Sequence, residues 1–284
     1  MKIGAHMSTA GGLHHSLDRA QAIGAEALQI FCSPPQSWAF KPLAEDEVIS
    51  FLEKSEDTGI GPCFLHGIYL VNLGSPNNDN QERSMTALIN YMQCANQIGA
   101  QGVIFHSGSH KGAGFDAVFP QTVDRLKRVL DESPAKTQLI IENCAGMGNQ
   151  IGSTFNEIGR LITALDDARV KVCLDTQHSF AAGYDLSTEE TLIECLSEFE
   201  SEIGLDQLVV VHANDSKRPF KSGVDRHENI GEGPIGLDGF RVIMAHPSFQ
   251  EIPFVLEVPG FDGKGPDKEN VDRLKEIRSS VATG

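Results

Sequence analysis

The sequence predicts an α/β protein in which residues 1–284 form a single (β/α)8 barrel of the TIM type. Eight β-favouring segments recur along the chain, and segments with helical spacing separate them. No low-complexity tract or Ser/Gly-rich linker interrupts this alternation. Alternating strands and helices favour a parallel sheet with helices packed against it. The pattern leaves open one alternative, a doubly wound open sheet.

The predicted strands are short and rich in Val, Ile, Leu and Phe. Several contain three or four consecutive apolar residues, as expected when both faces of a strand are covered. They span residues 2–6, 27–31, 63–67, 102–107, 138–143, 170–175, 208–213 and 253–257.

The intervening segments carry apolar residues at helical spacing. Thr154 and Glu157 form a capping box before one of these stripes, and Gly24 and Gly99 stand where helices are expected to end. The clearest stripes are Leu13, Leu17 and Ala20; Leu88, Met92 and Ala95; and Phe155, Ile158, Leu161, Ile162 and Leu165.

Charge and composition exclude several classes of protein. The chain has 23 Lys+Arg and 39 Asp+Glu, a net charge of −16, which argues against a general nucleic-acid coat protein. A local patch or bound cations could still bring such a chain to DNA. No apolar run is long enough for a membrane span, and the N-terminal residues lack the apolar core of a signal peptide. The six cysteines form no CxxC motif, which predicts reduced thiols and a cytoplasmic location.

Six of the eight predicted strands end at a side chain that can bind a metal ion. Consecutive members of this set are 40, 36, 33, 37 and 45 residues apart, about one strand, one helix and two loops each time. The carboxyl ends of the strands of a parallel barrel meet at one face, so these side chains should converge there. The six are His66, His106, Glu142, Asp175, His212 and Glu257.

Three further residues are expected to join this set. His178 lies three residues after Asp175, and a loop after the seventh strand carries Asp225 and His227. A single His or carboxylate at such a position is usually a packing residue or a helix cap. Six such residues at equivalent positions of successive strands indicate a metal site. Five imidazoles and four carboxylates without a thiolate suit Zn²⁺, Mn²⁺ or Fe²⁺, and their number would hold two or three ions.

The sequence around these residues resembles the endonuclease IV family of apurinic/apyrimidinic-site DNA repair nucleases. The matching motifs extend from residue 4 to about residue 260. They are GAHMSTAGGL, HGIYLVNLGSP, HSGSHKG, ENCAGMGNQIG, CLDTQHSFAAGYD, HANDSK, DRHENIGEGPIG and FVLEVPG.

The resemblance implies a zinc-dependent barrel with three ions per chain. One ion would be held by His66, His106 and Glu142. Glu142 would bridge to a second ion and position the attacking hydroxide. The other ligands of the second ion would be Asp175, His212 and Glu257, and those of the third His178, Asp225 and His227. The implied reaction is hydrolysis of the phosphodiester bond 5′ to an abasic site in double-stranded DNA, by a monomer in the cytoplasm.

The resemblance also implies contacts to DNA. Tyr69 and Leu70 would wedge into the gap that a missing base leaves, and Gln36 stands where the family commonly has an arginine that enters the lesion. Ser107 replaces a proline of the family beside a ligand. These departures remove no ligand, so they bear on DNA affinity rather than on the chemistry.

Two other functions stay open at this stage. Metal-dependent sugar isomerases and epimerases use a similar barrel with one or two ions, but such an enzyme has no need for the additional set His178, Asp225 and His227. A metal-stabilised protein that binds lesions without cutting them is the second alternative. Cleavage of an oligonucleotide with a single abasic-site analogue would separate all three.

Overall fold

Eight parallel strands close into a barrel in a computed structural model that describes residues 1–281. The strands of the barrel are β1 (Ile3–His6), β2 (Ala27–Ile30), β3 (Cys63–His66), β4 (Gly102–Phe105), β5 (Gln138–Glu142), β6 (Val170–Asp175), β7 (Leu208–His212) and β10 (Phe254–Leu256). Each lies within one of the eight predicted segments.

Closure depends on the first and last strands, because β1 pairs in parallel with both β2 and β10. Ile3 lies opposite Phe254, and Gly4 lies opposite Ala27. This closed order confirms the predicted barrel and excludes the doubly wound open sheet. Residues 282–284 of the predicted domain lie outside the described part of the chain.

Nine helices are present in residues 1–281. They are α1 (His15–Ile23), α2 (Glu45–Thr58), α3 (Asn78–Gln97), α4 (Phe115–Asp131), α5 (Phe155–Leu165), α6 (Thr176–Ala182), α7 (Glu189–Glu202), α8 (Gly236–Ala245) and α9 (Lys268–Val281). Within these residues, no helix combines the length and the apolar character that crossing a membrane requires.

Local sequence signals determine several helix ends. The hydroxyl of Thr154 accepts a hydrogen bond from the backbone N–H of Glu157 at 3.2 Å, which is the N-terminal cap of α5. Gly24 ends α1 in the left-handed conformation, with φ of 76°, and Gly99 has φ of 68° just after α3. The sequence predicted both glycine positions.

Two elements near the carboxyl end of the barrel were not predicted. The short helix α6 starts directly after β6, and a two-stranded antiparallel ribbon follows β7. The ribbon consists of β8 (Asp215–Ser216) and β9 (His227–Glu228). Both elements are too short to leave a periodic apolar pattern in the sequence, yet both carry predicted site residues.

The interior of the barrel contains a separate apolar layer with one side chain from each of six strands. Ile104 lies opposite Ile140, and Cys173 lies opposite Val210. On the remaining two strands the equivalent positions are Gly4 and Ala27, where a Cβ on Gly4 would lie 2.7 Å from that of Ala27. The six buried members of this inner layer are Phe64, Ile104, Ile140, Cys173, Val210 and Val255.

Candidate metal centre

On each strand, the predicted strand-end residue stands two positions after the residue that belongs to the inner layer. Side chains two residues apart on a strand point to the same face, so the residue after next also points towards the barrel axis. This step leads from Phe64 to His66 and from Ile140 to Glu142. On all eight strands it defines an upper layer of His6, Gln29, His66, His106, Glu142, Asp175, His212 and Glu257.

The first cluster consists of His66, His106 and Glu142. Glu142 Oε2 lies 3.1 Å from His66 Nε2 and 2.9 Å from His106 Nε2. Ligand atoms of the three residues all lie within 4.8 Å of one another, close enough to surround one ion. Glu142 and His66 are buried, whereas His106 is partly open to the barrel mouth.

The second cluster shares Glu142 with the first. Its other members are Asp175, His212 and Glu257, again with ligand atoms within 4.8 Å of one another. His212 Nδ1 lies 3.0 Å from Glu142 Oε1 and 3.2 Å from Glu257 Oε2. One oxygen of Glu142 therefore faces each cluster, which is the orientation that a carboxylate bridging two ions needs.

The third cluster is built by the two unpredicted elements. Asp175 caps α6 by accepting a hydrogen bond from the His178 backbone N–H at 2.8 Å, and the ribbon presents His227. His178 and His227 form a cluster with Asp175. Asp225, which the sequence assigned to this set, lies 3.3 Å from His178 Nε2 and 3.4 Å from His227 Nε2. Asp175 thus lies between the second and third clusters rather than in the second alone.

Three of the histidines have Nδ1 against a backbone carbonyl, and the Nδ1 of His178 also lies 3.2 Å from Glu142 Oε1. His66 Nδ1 lies 2.8 Å from the Gly67 carbonyl, and His178 Nδ1 lies 2.9 Å from the Asn143 carbonyl. A carbonyl accepts only from a protonated nitrogen, so Nε2 of both rings keeps its lone pair for the cluster. His227 Nδ1 faces the Glu257 carbonyl at 3.3 Å in the same way.

Two of these nitrogens test whether the residues suit a metal ion. His178 Nε2 and His227 Nε2 are buried and have no hydrogen-bond partner within residues 1–281. A buried polar atom without a partner destabilises the fold. Each of these two nitrogens has a lone pair next to carboxylates, so a bound cation would supply the partner that it lacks. The donor set of imidazole and carboxylate fits a borderline or hard divalent ion.

The charges in the clusters also favour cation binding. Burial by itself would raise the pKa of Glu142, but the neighbouring His106 keeps that pKa well below its usual value. Burial likewise opposes ionisation of Asp225, yet contact with His178 lowers the Asp225 pKa to about 2. The carboxyl groups of Glu142 and Asp225 are therefore ionised at neutral pH and available to a metal ion.

A cavity of about 700 Å³ opens above the three clusters. Tyr69 and Leu70 line it, and the Tyr69 side chain is 62% exposed. Gln36 lies in an exposed turn and is not among the described residues that line the cavity. Its loop nevertheless contacts that of Tyr69, because the Tyr69 backbone N–H donates to the Pro35 carbonyl at 3.0 Å.

Two buried polar residues beside the clusters were missed in the sequence. Gln29 contacts His212 and Glu257 from the second strand. Asp215 accepts hydrogen bonds from the backbone N–H groups of Ser216, Gly231, Gly233, Ile235 and Gly236, and so holds the loop at 231–236 that follows β9. The two-residue step of the upper layer could have identified Gln29, whereas no sequence signal identifies Asp215.

A parallel barrel with three such clusters at its carboxyl end is typical of a metal-dependent enzyme, and comparison with known proteins specifies the class. The model of the "Xylose isomerase-like TIM barrel" family matches residues 17–278. A probable endonuclease 4 of Halothermothrix orenii is 40% identical over 276 residues, covering 97% of this chain and 99% of the relative. Another from Haloarcula marismortui is 37% identical over 280 residues, covering 98% and 99%.

The chain belongs to the endonuclease IV family and is a metal-dependent nuclease of DNA repair. The crystal structure of endonuclease IV from Thermus thermophilus matches with a TM-score of 0.85 and 30% identity, covering 100% of both chains. The family assignment made from the motifs is confirmed. A D-tagatose 3-epimerase-like protein has a TM-score of 0.76 at 16% identity, which shows a shared fold alone.

Proposed function

We propose that this protein is a zinc-dependent endonuclease of base excision repair that acts on abasic sites in double-stranded DNA. It hydrolyses the phosphodiester bond 5′ to the abasic site and leaves a 3′-hydroxyl and a 5′-deoxyribose phosphate. Three zinc ions per chain would be held by the nine residues named above, and Mn²⁺ or Fe²⁺ could replace zinc at part of these positions.

The observation that carries the proposal is the bridging orientation of Glu142. Its two carboxylate oxygens lie 3.0 and 3.1 Å from imidazole nitrogens of two different clusters. Zinc bound there would lower the pKa of a coordinated water and neutralise charge on a phosphodiester. Glu142 would hold the two ions next to each other, and such a pair of ions would supply a hydroxide for attack on the phosphodiester.

The nine side chains also determine the local charge. Four of them are carboxylates, so three divalent cations would leave a local charge of +2 in a chain whose net charge is −16. A cationic mouth on an acidic protein would attract DNA to the site while disfavouring contact elsewhere on the surface.

Selectivity for an abasic site would come from the loops around the cavity. A nucleotide without a base is unstacked at low cost and can turn towards a pocket. Tyr69 offers an exposed aromatic face at the rim, and Leu70 an apolar side chain beside it, so both can fill the gap in the helix. Gln36 would contact the DNA backbone or bases from the adjoining turn.

We further propose that the protein is a cytoplasmic monomer and that residues 1–284 form one domain. The pairing of Ile3 with Phe254 supports a single domain, because it joins the two ends of the barrel. The six cysteines are distributed over the chain as free thiols, in keeping with a reducing compartment.

A nicking assay tests the proposal. The substrate is a duplex with one tetrahydrofuran residue, and an intact duplex of the same sequence serves as control. We expect incision on the 5′ side of the tetrahydrofuran, loss of incision with a chelator and recovery with Zn²⁺. Binding without incision would favour a lesion-binding protein. If the protein neither bound nor cut the duplex but converted a ketose, that result would favour an epimerase.

A further inference from the structure

Gln29 stands out among the neighbours of the clusters because its side chain contacts the side chains of two proposed ligands. It is the third residue of β2 and is completely buried. Its Nε2 lies 2.5 Å from Glu257 Oε1, and its Oε1 lies 2.8 Å from His212 Nε2. Glu257 and His212 belong to the second cluster. The amide nitrogen also lies 2.9 Å from Nδ1 of His6, which is outside that cluster.

The chemistry of the two contacts determines the proton positions. A carboxylate only accepts hydrogen bonds, so the amide nitrogen of Gln29 must face Glu257. The amide oxygen then faces His212 and accepts from a protonated Nε2. His212 is left with its lone pair on Nδ1, the nitrogen that points at Glu142 and Glu257.

His212 is also the histidine that faces its cluster with Nδ1. His66, His178 and His227 have Nδ1 engaged by backbone carbonyls and face their clusters with Nε2. For His212 the partner of the other ring nitrogen is a side-chain amide, that of Gln29, which reaches it from β2 although β1 and β10 lie between β2 and β7 in the barrel.

We propose that Gln29 is a positioning residue for the second metal site. It fixes the Nε2–H tautomer and the orientation of His212, and it holds Glu257 at the same time. Partners of this kind commonly change metal affinity by roughly 10- to 100-fold. The inference rests on the proposed metal centre and adds that one of its three sites depends on a residue that binds no metal.

The test is zinc titration of the folded protein against a chromophoric chelator. Gln29→Met keeps the side-chain length and removes the hydrogen bonds to His212 and Glu257, together with the contact to His6. We expect the parent to take up three Zn²⁺ per chain. Gln29→Met should bind one of the three roughly 10- to 100-fold more weakly and keep the other two at parental affinity. Gln138→Met is the matched control, since Gln138 begins β5 at the opposite end of the barrel.

A second measurement needs no variant. In the zinc-loaded parent, the NMR signals of the imidazole nitrogens of His212 should show a protonated Nε2 and a metal-bound Nδ1.

A third measurement uses the variant again. Excess Zn²⁺ should restore incision by Gln29→Met, because all nine proposed ligands are still present.

The outcomes separate the two proposals. Parental affinity at all three sites in Gln29→Met, equal weakening of all three, or metal on Nε2 of His212 would overturn the role of Gln29 and leave the metal centre intact. A parent protein that takes up no zinc would overturn the metal centre itself, and the role of Gln29 with it.

Discussion

Among single residues, Glu142 has the most demanding position because each of its oxygens faces a different cluster. Glu142→Gln replaces one carboxylate oxygen by an NH2 group, which cannot bind a cation, and it removes a charge that balances two ions. We expect native circular dichroism, reduced zinc content and an incision rate lower by several orders of magnitude. A folded variant whose rate falls by less than about tenfold would show that Glu142 does not bridge.

Gln36 provides a prediction about DNA affinity. It lies in an exposed turn whose neighbour Pro35 is hydrogen-bonded to Tyr69, so a longer cationic side chain can reach DNA held at the cavity. We expect Gln36→Arg to tighten binding to an abasic duplex and to steepen the slope of log affinity against log salt by about one unit. The rate of the chemical step should be unchanged.

Fluorescence anisotropy at two salt concentrations measures this effect. Gln97→Arg is a suitable control, since Gln97 is exposed at the end of α3, away from the barrel mouth. Equal affinity and equal slope in parent and Gln36→Arg would mean that position 36 does not reach the DNA.

The same residues show what a sequence can predict here. His66 and Glu142 are recognisable because ligand types recur at strand ends with a regular spacing. Gln29 occupies an equivalent position, but glutamine is not a typical ligand, so its place is recognised only when the two-residue step from Ala27 is applied to β2. Asp215 stands in the HANDSK motif. Four of the five backbone N–H groups that donate hydrogen bonds to it come from the loop at 231–236, so these contacts depend on how that loop folds.

At the level of elements, Asp215 links β8 to the loop that precedes α8. Asn at this position keeps one acceptor oxygen and places an amide N–H₂ among backbone N–H donors, so several buried donors lose their partner. We expect Asp215→Asn to lower the free energy of unfolding by about 2 kcal/mol or more. The variant should also weaken binding of the ion near His227.

Urea unfolding and zinc titration measure the two effects of Asp215→Asn. Asp206→Asn, an exposed position before β7, is the control. Unchanged stability together with three parental zinc affinities would show that the loop holds its shape without Asp215.

The packing of α9 against the start of the barrel provides a pH-dependent prediction. Burial opposes ionisation of Glu26, but hydrogen bonds from Arg278 and the Ile3 backbone lower its pKa from 4.5 to about 2. A carboxyl group with a depressed pKa in the folded state stabilises above its unfolded pKa, and the contribution is lost as pH falls towards the folded pKa.

Glu26→Gln should therefore be less stable than the parent at pH 7 and pH 5, by about 1–2 kcal/mol after solvent screening. The difference should shrink below about pH 4.5. Urea unfolding of both proteins at pH 7, 5 and 4 measures this trend. A difference that is independent of pH would assign the effect to packing rather than to the charge of Glu26.

For the whole molecule, metal binding and stability should be coupled. Four carboxylates meet at the barrel mouth and repel one another without cations, and only the closed barrel brings all nine side chains together. We expect a chelator to lower the melting temperature by about 10 °C, and added Zn²⁺ to restore it. The same chelator saturated with zinc is the control. An unchanged melting curve after verified removal of metal would contradict this coupling.

The closed order of the strands has a consequence for protein synthesis. The first predicted ligand, His66, is separated by 191 residues from the last, Glu257, which follows β10. At typical rates the ribosome needs roughly 10–40 s to make this stretch. During that time the nascent chain lacks both Glu257 and β10, the strand that closes the barrel against β1. We therefore expect the proposed metal centre to be completed only after the final barrel strand has emerged from the ribosome.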